Sequence, residues 1–301
     1  MKKKYLLGLV LLSTKFFVHA RISFVYNLRI AETTKSKNFE KEFYKPWITS
    51  ATLVGQFRQR RNDTNQYVGG GLGTFIYSPA NWYIRADFAA ARVKQTGPLE
   101  AQNQARTQPD DLLLSGGYGF NVGTRTKFSF SALLGIPTHK DKGLSFVQFG
   151  TGHVGIGAQV DGSFNYHATN TIRTAARYVH FFGGRTNLVL NDAIEFFDYK
   201  FGNINDFYIA HQTVIKRQHR IEFGYNPSFF YGAKIEPDVP EINNEFTYIR
   251  SNFFATYKYY FLINKYPSGV IVGISSGFDH IPKRTGLKNI VTVWAAWGIS
   301  F

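Results

Sequence analysis

From about residue 48 to its end, the chain alternates apolar and polar side chains with a period of two, in segments of roughly ten residues bounded by turn residues. Leu112, Leu114, Gly116, Tyr118, Phe120 and Val122 share one face of such a segment, opposite Ser115, Gly117, Gly119 and Asn121. After the turn Gly123-Thr124-Arg125-Thr126, Phe128, Phe130, Ala132, Leu134 and Ile136 repeat the pattern opposite Ser129 and Ser131. Successive strand side chains point to opposite sides of a sheet, so each segment has one apolar and one polar face. No later stretch approaches the ~18 consecutive apolar residues of a helical span. The chain is therefore read as all-β.

A soluble sandwich alternates in the same way. Three details argue against one. The polar faces are rich in Gly, Ser and Asn rather than Lys and Glu. Aromatic residues gather at the ends of the apolar faces, where the girdles of a membrane barrel lie. The connections alternate between long polar ones (94–110, 232–245, 280–288) and short ones (77–81, 123–126, 183–186, 217–219). The aromatic content of 17% and the charged content of 18%, against about 25% charge in ordinary globular chains, point the same way.

The last twelve residues, IVTVWAAWGISF, place Val291, Val293, Ala295, Trp297, Ile299 and Phe301 on one face, and the sequence ends on that final aromatic. This ending resembles the terminal strand of bacterial outer-membrane β-barrel proteins. The resemblance implies a transmembrane, antiparallel, up-and-down β-barrel in a Gram-negative-type outer membrane. It also implies that Trp297, Ile299 and Phe301 form the signal read by the barrel assembly machinery. Lipid, lipopolysaccharide and small solutes are the other expected partners.

The N-terminus fits export. Residues 1–20, MKKKYLLGLVLLSTKFFVHA, have a cationic start, a short apolar run and a small-x-small site, the pattern of a cleaved signal peptide. Removing them, with four lysines and no acid, takes the net charge from +15 to +11. In an exported protein this basic balance points to anionic solutes or membranes and away from nucleic acid. The chain has no cysteine, which excludes disulfide frameworks, cysteine–zinc sites and thiol nucleophiles.

Residues 21–46 read as a periplasmic or plug-like segment and 47–301 as the barrel. Candidate strands are 48–58, 66–76, 82–93, 111–122, 127–136, 144–150, 154–162, 171–182, 187–200, 206–216, 220–231, 246–261, 269–279 and 289–301. They give 14 strands, with 12 as the alternative if the short, Gly-bounded 144–150 merges with its neighbour and one more element drops out. Asp192 interrupts the alternation of 187–200, which predicts a bulge. With both ends periplasmic, the long loops fall outside. A barrel of this size has room for a narrow path, and inward Gly and Ser are consistent with space inside.

Chemistry-bearing motifs are absent. The histidines are scattered singly, and no His-x-Ser-Asn-Gly-type stretch accompanies a serine. Asp110 and Asp111 are adjacent and point oppositely on a strand. No spacing suits a metal. Gly69-Gly70-Gly71-x-Gly73 lacks the lysine and helix of a phosphate loop. Neither catalysis, a metal nor a cofactor is predicted.

The candidate site is a set of inward ionisable groups: Arg85, Asp87, Arg173, Arg177, Glu222, Arg250 and Lys258. An Arg or Lys facing lipid at the midplane costs about 2–4 kcal/mol, which drives these groups to the lumen. There they either pair and fill it or form a basic constriction that favours anions. The functional expectation is a narrow pore for passive or weakly selective passage of small solutes, with anions preferred. A structural or adhesive barrel acting through its loops is one alternative. A hydrophobic-compound transporter or a rim-sited lipid hydrolase is the other.

Overall fold

The computed structural model describes residues 47–60, 63–78, 80–96, 104–109, 111–138, 153–182, 184–190, 193–200, 202–216, 218–231, 234–236, 248–264, 266–280 and 288–300. Their strands are β1 (Trp47–Arg60), β2 (Asp63–Tyr77), β3 (Trp82–Thr96), β4 (Gln104–Pro109), β5 (Leu112–Val122), β6 (Thr126–Ile136), β7 (Gly155–Asn165) and β8 (Asn170–Phe181). After these come β9 (Gly184–Leu190), β10 (Ala193–Lys200), β11 (Gly202–Lys216), β12 (His219–Tyr231), β13 (Lys234–Glu236), β14 (Tyr248–Ile263), β15 (Tyr266–His280) and β16 (Lys288–Ser300).

Twelve of them close into a barrel of antiparallel neighbours. β1 pairs with β2 on one side and with β16 on the other, so the first and last strands seal the sheet over twelve residue pairs, from Ile48↔Ser300 to Gln59↔Asn289. Closure leaves no edge, so every strand's backbone groups have a neighbouring strand to bond, as hydrocarbon demands.

The barrel is apolar outside and polar inside. Leu53 (70% exposed), Phe223 (59%) and Ile84 (55%) lie bare on the outer face, while Arg173, Glu222, Ser228 and Lys258 are fully buried within. A continuous apolar belt of this kind suits a surface covered by acyl chains and not by water.

The count is twelve, the second of the two expected. Residues 144–150 lie outside the described residues, as do 1–46 with the expected signal peptide and N-terminal segment. The expected strand 187–200 is not a barrel stave. It is split between β9 and β10, which pair as a hairpin beginning at Leu190↔Ala193. This hairpin prolongs the β8–β11 pairing in unchanged register, with Gly184↔Tyr199 following Phe181↔Gly202. Gly202 takes φ +86° at the joint, a left-handed conformation that favours glycine. The chain therefore reverses between Leu190 and Ala193, and Asp192, where a bulge was expected, lies outside the described residues.

The change of count also reverses part of the expected orientation. Residues 183–186 do not form a tight turn at the end that holds the chain termini of the barrel. The short connection there is 166–169, and 183–186 begins the long excursion on the opposite side. The expected loop 94–110 is likewise partly sheet: β4 lies along β3 from Ala90↔Pro109 to Gln95↔Gln104. Pairing then resumes one residue out of step between β3 and β5, as Asp87↔Leu113. β13 joins β10 through Asp198↔Glu236, linking the connections that follow β8 and β12. The long connections open at one end of the barrel, together with the two-residue link between β1 and β2, and the remaining short turns lie at the other.

Candidate functional site

All seven predicted ionisable groups point inward and are buried, because each lies in phase with its strand's polar face. On β3, Arg85 and Asp87 are two residues apart and therefore on one face. The guanidinium grips the carboxylate with two groups, Nη2 at 2.7 Å from Oδ1 and Nε at 2.5 Å from Oδ2. Asp87 has Gly73 as its cross-strand partner on β2, and a Cβ there would sit 2.6 Å from Asp87 Oδ1. The glycine is the space the carboxylate occupies.

Nearly opposite in strand order, β8, β11, β12 and β14 carry a second cluster. Arg173 stands beside the small Ala210 on β11 and extends over it to Glu222 on β12. Its Nη1 donates to Glu222 Oε2 at 2.5 Å and to Gln212 Oε1 at 3.2 Å. Lys258 Nζ donates to the same Glu222 oxygen at 2.9 Å, and the Tyr208 hydroxyl donates to Oε1 at 2.7 Å. Tyr208 in turn stacks on Phe254, with ring centroids 5.2 Å apart. Higher in the wall, Arg177 donates to Asp206, its direct cross-strand partner. Arg250 lies over the Phe230 ring, 5.4 Å from its centroid. Buried charges persist only when paired and hydrogen-bonded, which this wall provides.

Of the two arrangements the sequence allows, the ion pairs seen are Arg85 with Asp87, Arg173 and Lys258 with Glu222, and Arg177 with Asp206. Two carboxylates escaped the sequence reading. Asp206 belongs to the inward series Ile204, Asp206, Tyr208, Ala210 and Gln212, whose phase is set by outward Phe207 and Ile209. Asp161 on β7 accepts from Ser129 Oγ at 2.9 Å and Gln159 Nε2 at 2.5 Å. That phase rule, applied to every strand, would have found both.

Several inward glycines do not leave open space, contrary to expectation. Three of them give floor to a neighbour's ring: Tyr83 over Gly117, Phe254 over Gly224 and Trp294 over Gly273.

No family model matches the chain, and no curated protein matches it. Solved structures do. An outer-membrane channel from Pseudomonas putida F1 superposes with a TM-score of 0.67 at 10% identity, over 89% of this chain and 100% of that one. This chain has the fold of the bacterial outer-membrane β-barrels. Looser likenesses include the CymD monoaromatic hydrocarbon channel (TM-score 0.48, 6% identity, 86% and 90% covered). Another is the translocator domain of the autotransporter NalP from Neisseria meningitidis (0.45, 9%, 94% and 98%).

On the outside of the barrel, histidines meet tyrosines near the short-turn end. Tyr166 Oη and His211 Nε2 lie 2.6 Å apart, and His219 Nδ1 and Tyr257 Oη 2.5 Å. Rings with a polar tip suit the boundary between acyl chains and water. Among the described residues, no group of three metal-ligating side chains converges.

Proposed function

We propose that the chain is a bacterial outer-membrane channel, a narrow pore for passive or weakly selective passage of small solutes, with anions preferred. The observation that carries the reading is the inverted barrel itself: an apolar belt outside and, within a closed wall, buried charges of both signs. Among the described residues the buried charges comprise five cations (Arg85, Arg173, Arg177, Arg250, Lys258) and five carboxylates (Asp87, Asp111, Asp161, Asp206, Glu222), so the wall itself is balanced. The preference for anions rests instead on the basic balance of the whole chain, +11 after removal of residues 1–20. Ion pairing on both walls narrows the path, so conductance is small. The likeness to the Pseudomonas putida channel supports this assignment over a barrel enzyme.

In this reading both chain ends of the barrel and the short turns beside them face the periplasm, and the long connections face outward. Residues 1–20 direct export. Trp297, Ile299 and Phe301 are read during assembly, and lipid with lipopolysaccharide covers the apolar belt.

Single-channel recording of refolded protein in a planar bilayer, under a KCl gradient, tests the proposal. Discrete openings with a reversal potential on the chloride side are expected. A silent bilayer from protein whose heat-modifiable gel mobility proves it folded overturns the channel.

A further inference from the structure

At the short-turn end the outer belt finishes on exposed rings, among them Trp47, Trp82, Tyr118 and Trp297. Where β11 meets β12 a bulge intervenes. Val214 pairs with Arg220, but the next pair is Lys216↔His219, so Ile215 is an extra residue on β11. In unbroken alternation Lys216 would follow Gln212 and Val214 toward the lumen. The extra residue places it instead on the face of His219, where it is exposed.

His219 is held on that outer face by β14. Its cross-strand partner is Tyr259, with ring centroids 5.0 Å apart, and its Nδ1 lies 2.5 Å from Tyr257 Oη. The turn beside it is pinned as well, since the Tyr260 amide donates to the Gln218 carbonyl. With Nδ1 engaged, Nε2 is the nitrogen left to an outside ligand. Neither that nitrogen nor Lys216 Nζ bonds to another described residue. Cross-strand partners stand with Cβ atoms about 5 Å apart, so the ammonium and the imidazole can converge on one anionic group. Toward the middle of the barrel, Ile221 and Phe223 continue the outward series of β12, and Phe223 is 59% exposed.

We propose that this corner binds an anionic phospholipid from the leaflet on the short-turn side. Lys216 Nζ and His219 Nε2 hold its phosphodiester, and an acyl chain lies over Ile221 and Phe223. The ligand class follows from the juxtaposition. A cation and a polar ring nitrogen stand at the foot of a bare apolar face, and a molecule that satisfies both has a phosphate head and a hydrocarbon tail. The net charge of the head follows from Lys216: a choline ammonium would stand beside the lysine ammonium, whereas an anionic head gains from it. The inference rests on the outer-membrane reading and gives the lipid partner of that reading a named place on the barrel.

Native mass spectrometry of the refolded full chain, released from detergent micelles, tests it with phosphatidylglycerol and phosphatidylcholine of identical chains. One phosphatidylglycerol is expected to bind about tenfold more tightly than phosphatidylcholine. In the double variant Lys216→Gln, His219→Phe the preference is expected to fall to about twofold or less. Lys94→Gln removes an exposed lysine at the opposite end of the barrel and is expected to leave the preference unchanged. Heat-modifiable gel mobility verifies that each variant folds. The site is overturned if the two lipids bind alike, if the double variant keeps the preference, or if Lys94→Gln erases as much of it. Glycerol 3-phosphate carries the head without the chains and is expected not to displace the lipid. Displacement by it at equal concentration would overturn the lipid assignment in favour of a site for free phosphate esters. Because lipid is counted on protein released from micelles, a silent bilayer would sink the channel and leave this site standing, and a lost lipid preference would do the reverse.

Discussion

Lys258 Nζ and Arg173 Nη1 donate to one oxygen, Glu222 Oε2, from opposite sides of β12 and at 2.9 and 2.5 Å. Removing the shared negative charge takes from two buried cations the carboxylate that both bond, whereas removing one donor leaves a matched pair. Breaking a buried pair from the side that orphans a charge costs about 3–5 kcal/mol, while replacing a charge by an apolar group of similar length costs far less. Glu222→Gln is therefore expected to destabilise the folded barrel by about 3 kcal/mol or more, and Lys258→Met by clearly less. Urea unfolding in lipid vesicles, followed by tryptophan fluorescence, measures both. Equal losses would show that the carboxylate is not the hub of the cluster.

The β11–β12 ladder has a gap. Pairing runs from Asp206↔Ser228 to Ile209↔Tyr225 without Phe207↔Pro227 between them. Pro227 has no N–H to give, and the Phe207 carbonyl instead accepts from the Asn226 side-chain amide. Asn226→Ala is expected to cost about 1–3 kcal/mol, since the carbonyl then faces hydrocarbon or a buried lumen without a donor. In the Pro227→Ala background, where the backbone can supply an N–H, the same change is expected to cost under half as much. A double-mutant cycle on unfolding free energy checks the coupling. Additive losses would sever the link between the proline and the amide.

Gly273 is the floor under the Trp294 indole, and a Cβ there would collide with the ring. Gly273→Ala is expected to lift the indole into the lumen, cost about 1–3 kcal/mol and shift tryptophan emission to the red. Trp294→Phe in the same background is expected to recover much of that stability. An unchanged emission spectrum in Gly273→Ala would contradict the placement of the ring.

The architecture was largely legible because strand side chains report their own phase. Arg85 and Asp87 fall between Ile84, Ala86 and Phe88, so the apolar residues alone assign the charges to the lumen. Strand number was harder to read. Residues 187–200 hold enough Val, Ile and Phe to pass for a stave, and local pattern does not distinguish a stave from a hairpin extending beyond the barrel. The pairing of the charges was less legible still. Arg173 reaches Glu222 across an intervening strand, over Ala210, and such a contact depends on register between segments far apart in sequence.

The sharpest test of the inside-out assignment compares neighbours on a single strand. On β15, Ile274 lies on the outer face at 51% exposure, and Ser275 is the next residue, turned inward. If acyl chains cover the outer face, Ile274→Arg places a guanidinium in hydrocarbon and is expected to cost about 2–4 kcal/mol in vesicles. Ser275→Arg adds its charge to a lumen wall that already holds cations paired with carboxylates, so its cost is expected to be smaller. Its effect should appear instead in the reversal potential, moved further to the chloride side. Unfolding in vesicles and current in a planar bilayer read the two outcomes independently. A larger stability loss from Ser275→Arg than from Ile274→Arg would place lipid on the wrong face of the sheet.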